Sequence, residues 1–312
     1  MEEFVFVGQE WWGWIIAGYL FLGGLAGLTL PIAYYYWVRE KNRAMSLAGG
    51  LASFIAIVVG ILLLIIDLGR PQNVMAMFTS PKLNLHSWMT IGTYIIVLFT
   101  IFSGLYTLPF IPGLGLLRKR EYRKYITAIG GIAAFLGLAT AAYTGFLLAA
   151  ARGVQFWNTP LLPVLFVASA ISSGLCLYCA VVSPILLKTS PSFREAAVRI
   201  RLELQRLDAY VIIGELFILF AYLNISLWGS PGARESALRL ISGDLAAAFW
   251  IGVVIAGLIV PLLILLGYTL RRKEESTPVI IMSAIAGWLT LIGALLLRYL
   301  ILHAGVIPTP IT

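Results

Sequence analysis

Over 312 residues the chain is 60% hydrophobic and 12% charged, with a mean hydropathy of +0.94. Soluble domains carry about 25% charged residues, and half that density cannot cover a water-facing surface. The net charge of +8 does not point to nucleic acid, because the basic residues sit in short clusters between apolar blocks, with no soluble surface for a phosphate-binding stripe.

The apolar blocks have the length of membrane helices. About 20 apolar residues cross a hydrocarbon core of about 30 Å. The alternating segments of a transmembrane barrel are absent, so helices are left to satisfy the backbone in lipid. The sequence predicts an all-α integral membrane protein with eight spans. They run from Trp11 to Val38, Ser46 to Ile66, His86 to Leu108, Tyr122 to Ala150, Asn158 to Leu187, Glu203 to Trp228, Gly243 to Leu270 and Ser276 to Leu302. The first ten residues hold Glu2, Glu3 and Glu10 and no Lys or Arg, the reverse of a signal-peptide n-region, so the first span is expected to be retained.

Loop charges predict the orientation. The odd-numbered loops hold Arg39, Lys41 and Arg43; Arg118, Lys119, Arg120, Arg123 and Lys124; Lys188, Arg194, Arg199, Arg201 and Arg206; and Arg271, Arg272 and Lys273, sixteen of the 22 basic residues. The other side has Arg70, Lys82, Arg152, Arg234 and Arg239. The positive-inside rule puts the first set in the cytoplasm and both termini outside, in a bacterial or archaeal cytoplasmic membrane. The connections are short and leave no room for an extramembrane domain, so catalysis in water falls to a partner protein. Gly23-Gly24-Leu25-Ala26-Gly27 in the first span is echoed by Ser172-Ser173-Gly174-Leu175-Cys176 in the fifth. Both patches suit close helix packing, and two related four-helix halves would also explain them.

Ionisable residues at membrane depth are functional candidates because lipid makes them costly. Asp67 ends the second span and Asp244 opens the seventh, both on the outer side. For these two and for Arg298, near the outer end of the last span, interfacial pairing or snorkelling is the plain alternative. Glu215 lies deep in the sixth span, seven residues after Asp208, and the two share a helical face; they are candidates for a proton path, against a buried, protonated Glu215 bonded to a neighbouring helix. His86 and His303 are the only histidines. A di-haem subunit needs four axial ligands, so no haem is expected, and each histidine is a candidate interfacial group or proton acceptor. Cys176 and Cys179 lie within an apolar span and read as packing residues, so no metal is expected. Trp11, Trp12, Trp14, Trp88, Phe156, Trp157 and Trp228 crowd the outer side, as an interfacial belt or as walls of a pocket for an amphipathic ring.

Asp67-Leu68-Gly69-Arg70-Pro71, Tyr143-Thr144-Gly145-Phe146-Leu147-Leu148, Phe156-Trp157-Asn158-Thr159-Pro160-Leu161-Leu162-Pro163, the glycine-rich first span and Leu297-Arg298-Tyr299 resemble the NrfD-like family of polysulfide reductase membrane subunits over nearly the whole chain. The resemblance implies two four-helix bundles, 1–150 and 151–312. It implies exchange of electrons with a quinone, menaquinone or ubiquinone, at a site near the outer face of the first bundle. It further implies an extracytoplasmic iron–sulfur subunit as partner, and through it a molybdopterin catalytic subunit or a multihaem cytochrome. Tyr143 and Asp67 are then the catalytic candidates, with Gln9, Trp11, Trp12 and Arg70 lining the pocket. Where some members carry a histidine in the first helical turn this sequence has Gly13, and His86 is the candidate replacement. A proton- or ion-coupled transporter is the competing class, with Glu215 as its coupling group; a purely structural anchor is the third.

Overall fold

The computed structural model describes residues 4–67, 87–112, 120–182, 194–271 and 277–310. The described residues contain eight helices long and apolar enough to span a membrane, so the chain is an all-α, multi-pass membrane protein. Strand β1 (Phe4–Gly8) precedes α1 (Trp14–Glu40) and α2 (Arg43–Asp67). Then come α3 (Trp88–Thr107), α4 (Arg120–Ala149), α5 (Leu161–Leu177) and α6 (Arg194–Leu227). A short helix, α7 (Pro231–Ile241), leads to the seventh span, α8, whose first part, Ala248–Ile259, is π-helical and whose remainder, Val260–Arg271, is α-helical. Helix α9 (Thr277–Ala304) and strand β2 (Val306–Pro310) follow.

Burial follows from the two solvents the helices face. Phe135, Phe217, Phe220, Ile251, Leu263 and Trp288 are exposed on the bundle surface. That apolar area would aggregate in water and is at home in acyl chains. With 34 residues, α6 is about 51 Å long at 1.5 Å per residue, so its basic N-terminal end projects beyond the hydrocarbon.

Inside, α1 is the central helix: it packs against α2, α4, α5 and α9. Its approach to α4 is backbone to backbone, since a Cβ on Gly27 would strike the carbonyl of Gly137 and one on Gly137 would meet the Gly27 carbonyl. The two echoed small-residue patches each lie against the other helix. A Cβ on Gly24 would lie 3.2 Å from Ala170 Cβ, and one on Gly174 would lie 3.2 Å from the Leu28 backbone. Dispersion between closely approaching helices is the main attraction in lipid, where burial gains little.

Two elements lie outside the predicted spans. Helix α7 starts with Pro231 in its first turn, where the missing N–H costs nothing, and it buries Ala233, Ser236, Ala237 and Leu240 on one face. Strands β1 and β2 pair antiparallel, from Phe4 opposite Pro310 to Gly8 opposite Val306. Helix α1 therefore begins at Trp14 rather than Trp11, because the preceding residues are drawn across the end of the bundle.

Candidate functional site

The ribbon fixes one wall of a cavity. Gln9 is buried; its Nε2 donates to the carbonyls of Trp12 (2.9 Å) and Leu302 (3.0 Å), and its Oε1 accepts the Trp12 N–H (3.0 Å). Its own N–H donates to the Gly305 carbonyl at 3.0 Å. This amide clamps the segment before α1 onto the end of α9. The Trp12 ring then stacks on Trp157, with centroids 5.4 Å apart and planes at 8°, and Trp157 is held by its Nε1–H donating to the Ile301 carbonyl at 2.9 Å. The opposite wall is Trp88, stacked on Phe146 at 5.2 Å and 8°.

Between these walls lies an open cavity of about 610 Å³. Trp12, Ser87, Trp88, Met89, Leu147, the Ala149–Arg152 turn and Asn158 line it. Tyr143 sits one helical turn deeper than Leu147, and its ring occupies the space a side chain at Gly92 would need. Gly92 is itself one turn below Trp88, so the Tyr143 ring packs beneath the cavity. Close by, fully buried Tyr19 interacts with Tyr143, and its hydroxyl has no hydrogen-bond partner in the described structure.

The predicted residues divide. Trp12 lines the cavity and Tyr143 lies beneath it. Gln9 acts through the backbone, and Trp11 points outward, 75% exposed. Asp67 is half-buried in the last turn of α2. Arg70 and His86 lie outside the described residues. His303, at the end of α9, is exposed and stacks on Tyr299, which stacks on Trp14. Trp88, named from the sequence among the aromatics that could wall a pocket, lines the cavity, and so do Arg152 and Asn158, which sequence reasoning does not single out as site residues. The signal for Asn158 is position, since it stands at the predicted start of a span.

A second polar cluster crosses the interior of α5, α6 and α9. Asp208 is buried and accepts from Ser172 Oγ (2.6 Å) and Cys176 Sγ (3.0 Å). Two turns along α6, Glu215 is buried and bonds to Ser169. Ser169 Oγ also accepts from Arg298 Nη1 at 3.2 Å. Arg298 is 0% exposed, so it does not snorkel. Its guanidinium donates to the Ala294 and Phe166 carbonyls and lies 5.1 Å and 5.8 Å from the Phe166 and Phe21 ring centroids. Arg298 Nε and Glu215 Oε2 keep no partner in the described structure. The readable signal is the stripe Ser169, Ser172, Cys176, which repeats at helical spacing opposite the Asp208–Glu215 pair.

On the same end as the ribbon, Arg239 makes a two-pronged bond with Asp244 (Nε–Oδ1 3.1 Å, Nη2–Oδ2 2.7 Å) and donates from Nη1 to the His303 carbonyl. The Arg239 hydrogen bonds hold the Asp244 carboxyl below its usual range.

Residues 6–309 match the family described as polysulphide reductase, NrfD. The chain belongs to this family. Among similar proteins are the C subunit of the polysulfide reductase of Wolinella succinogenes, 32% identical, and the NrfD protein of Escherichia coli, 30% identical. The NrfD homolog of Haemophilus influenzae is 26% identical, and all three matches cover 94% of both sequences. This family is thus the setting in which a membrane-embedded cavity with aromatic walls and a polar interior must be understood.

Proposed function

We propose that this chain is the membrane subunit of a respiratory oxidoreductase, oxidising quinol or reducing quinone at its outer end and exchanging electrons with an iron–sulfur subunit there. The observation that carries the reading is the cavity between Trp12 and Trp88, with Tyr143 packed beneath it. A quinone head is a flat, amphipathic ring: aromatic walls suit its faces, and its two oxygens need hydrogen-bonding groups. Oxidation of a quinol releases two electrons and two protons, so the site needs a donor to orient one oxygen and a base to take protons. Tyr143 suits the first role and Asp67 the second. The electrons leave for the partner, so no redox group is required in this subunit. The first bundle, 1–150, holds the head group in this reading; 151–312 supplies the walls' supports through Trp157 and α9. The presence of a reductase subunit among the similar proteins supports the role.

The test is quinone bound to purified protein, measured in organic extracts, together with quinol oxidation by the assembled complex. Ala150 lines the cavity, and Ala150→Trp should fill it and abolish both while the complex still assembles. Retention of quinone and of turnover in that variant would place the head group elsewhere.

The buried cluster supports a second element. We infer that Glu215, Ser169 and Asp208 carry protons between the bundle interior and the basic end, coupling the quinone reaction to the proton gradient. The unpartnered Glu215 Oε2 is the observation behind it, since a water bonded there would take up the proton that Glu215 releases, while Arg298 stays protonated and only orients the group.

A further inference from the structure

The basic ends of α1 and α4 flank a second, open cleft of about 790 Å³ that the quinone reading leaves unused. Three cations, Lys41, Arg123 and Lys124, stand at its rim, and Tyr34, Gly131 and Ile132 continue it along the apolar helix surfaces. Lys41 is held there by the backbone. It is the only non-glycine residue with positive φ among the described residues, at φ 53° and ψ 27°, and its N–H caps the Tyr36 carbonyl at the end of α1. A left-handed lysine costs about 1 kcal/mol that glycine would not. The turn directs its ammonium to 5.5 Å from the Trp37 ring centroid. Trp37 Nε1 donates to Thr127 Oγ1 at 3.2 Å, one turn from Arg123, so the indole ties the start of α4 to the end of α1. Cations from two helices therefore share one mouth, and this is the end the loop charges assign to the cytoplasm.

We propose that this cleft binds an anionic phospholipid, its phosphate among Lys41, Arg123 and Lys124 and one acyl chain along Tyr34 and Ile132. Charge complementarity selects the occupant. A topology signal needs only cations near the membrane, whereas these line a cleft that continues from the rim into hydrocarbon. Basic pockets between membrane helices suit anionic lipid head groups in this way. The bound lipid stabilises the native state through its preferential affinity for it.

The experiment uses the full-length protein in mild detergent with added phosphatidylglycerol, phosphatidylcholine or inorganic phosphate. Thermal unfolding and native mass spectrometry are the readouts. Phosphatidylglycerol should raise the midpoint by on the order of 5 °C and remain bound as a discrete adduct; the other two should do neither. Lys41→Asn, which keeps a residue tolerant of the left-handed turn, combined with Arg123→Gln should abolish the shift and the adduct. Arg206→Gln, exposed on α6, should retain both. Equal stabilisation by phosphatidylcholine or by phosphate alone would overturn the proposal, as would an undiminished adduct in the double variant. The three wild-type conditions decide the matter even if the double variant is not recovered.

Discussion

At Tyr143 the side chain and its seat can be tested separately. Tyr143→Phe removes one neutral hydrogen bond, so quinone binding should weaken by about 0.5–1.5 kcal/mol, roughly 3- to 10-fold in the apparent KM, with folding unchanged. Gly92→Ala leaves the hydroxyl but puts a methyl where the ring lies. It should displace the phenol and cost more turnover than loss of the hydroxyl itself, measured as quinol oxidation by the assembled complex. A milder effect of Gly92→Ala than of Tyr143→Phe would mean the ring position is unimportant. Asp67→Asn separates a proton acceptor from a structural clamp with Arg70. A base variant assembles and loses about 10²–10⁴-fold in turnover, whereas a clamp variant loses assembled complex. Trp12 and Tyr143 are readable as cavity candidates because the motifs place them at the predicted outer ends of their spans. Gln9 is read from the sequence as a pocket residue, but its work on backbone carbonyls is not legible there, since its partner Leu302 lies 293 residues away.

At the scale of elements, α5 and α6 hold a carboxylate pair against a stripe of small hydroxyl and thiol groups. Removing the charge at Glu215 with Gln preserves size and hydrogen-bonding capacity. The variant in proteoliposomes should keep quinol oxidation nearly intact and lose the proton movement that accompanies it; unchanged proton movement would leave Glu215 as a structural group. Arg298→Ala should be more damaging, because it empties a fully buried site and takes the guanidinium donors away from Ser169 and the Phe166 carbonyl, and each buried polar group left unsatisfied costs about 1–3 kcal/mol. Its readout is the yield and melting temperature of the folded protein. The Arg239–Asp244 bond lies at the end that carries the ribbon and is partly exposed. Because Asp244 is held below its ordinary value of 3.8, the bond's contribution is complete above that pH and is lost as pH falls through the lower folded value. An exposed pair contributes about 1 kcal/mol or less, so Asp244→Asn should shift the melting midpoint slightly at pH 7 and progressively less as pH falls below the ordinary carboxylate range. The eight spans are legible in the sequence because length and apolarity in lipid leave one solution. Helix α7 is not, since Pro231, Gly232 and its charges have the composition of a loop and its apolar face is only one turn wide.

For the whole molecule, the ribbon of β1 and β2 is the feature that no local pattern announces. Phe-Val-Phe-Val-Gly at one end and Val-Ile-Pro-Thr-Pro at the other have no reason to meet until eight helices have brought them to one face. The packing of α1 on α5 is partly legible, in that the echoed glycine and serine patches lie where the two helices approach. Deleting residues 2–8 should leave the helical bundle inserted, by circular dichroism, and weaken quinone binding, because the Trp12 wall loses its anchorage; unaltered binding would detach the ribbon from the site. The same closure sets a schedule. Strand β1 precedes all the described helices and its partner β2 follows them, so this contact of large sequence separation forms only after α9 has been made. Until α9 is inserted, Gln9 has no Leu302 carbonyl and Trp157 no Ile301 carbonyl, and the cavity's Trp12 wall is unsupported. A polypeptide cut short before α9 therefore lacks the support of the Trp12 wall, and under the proposed function it would bind quinone more weakly than the protein with α9 in place.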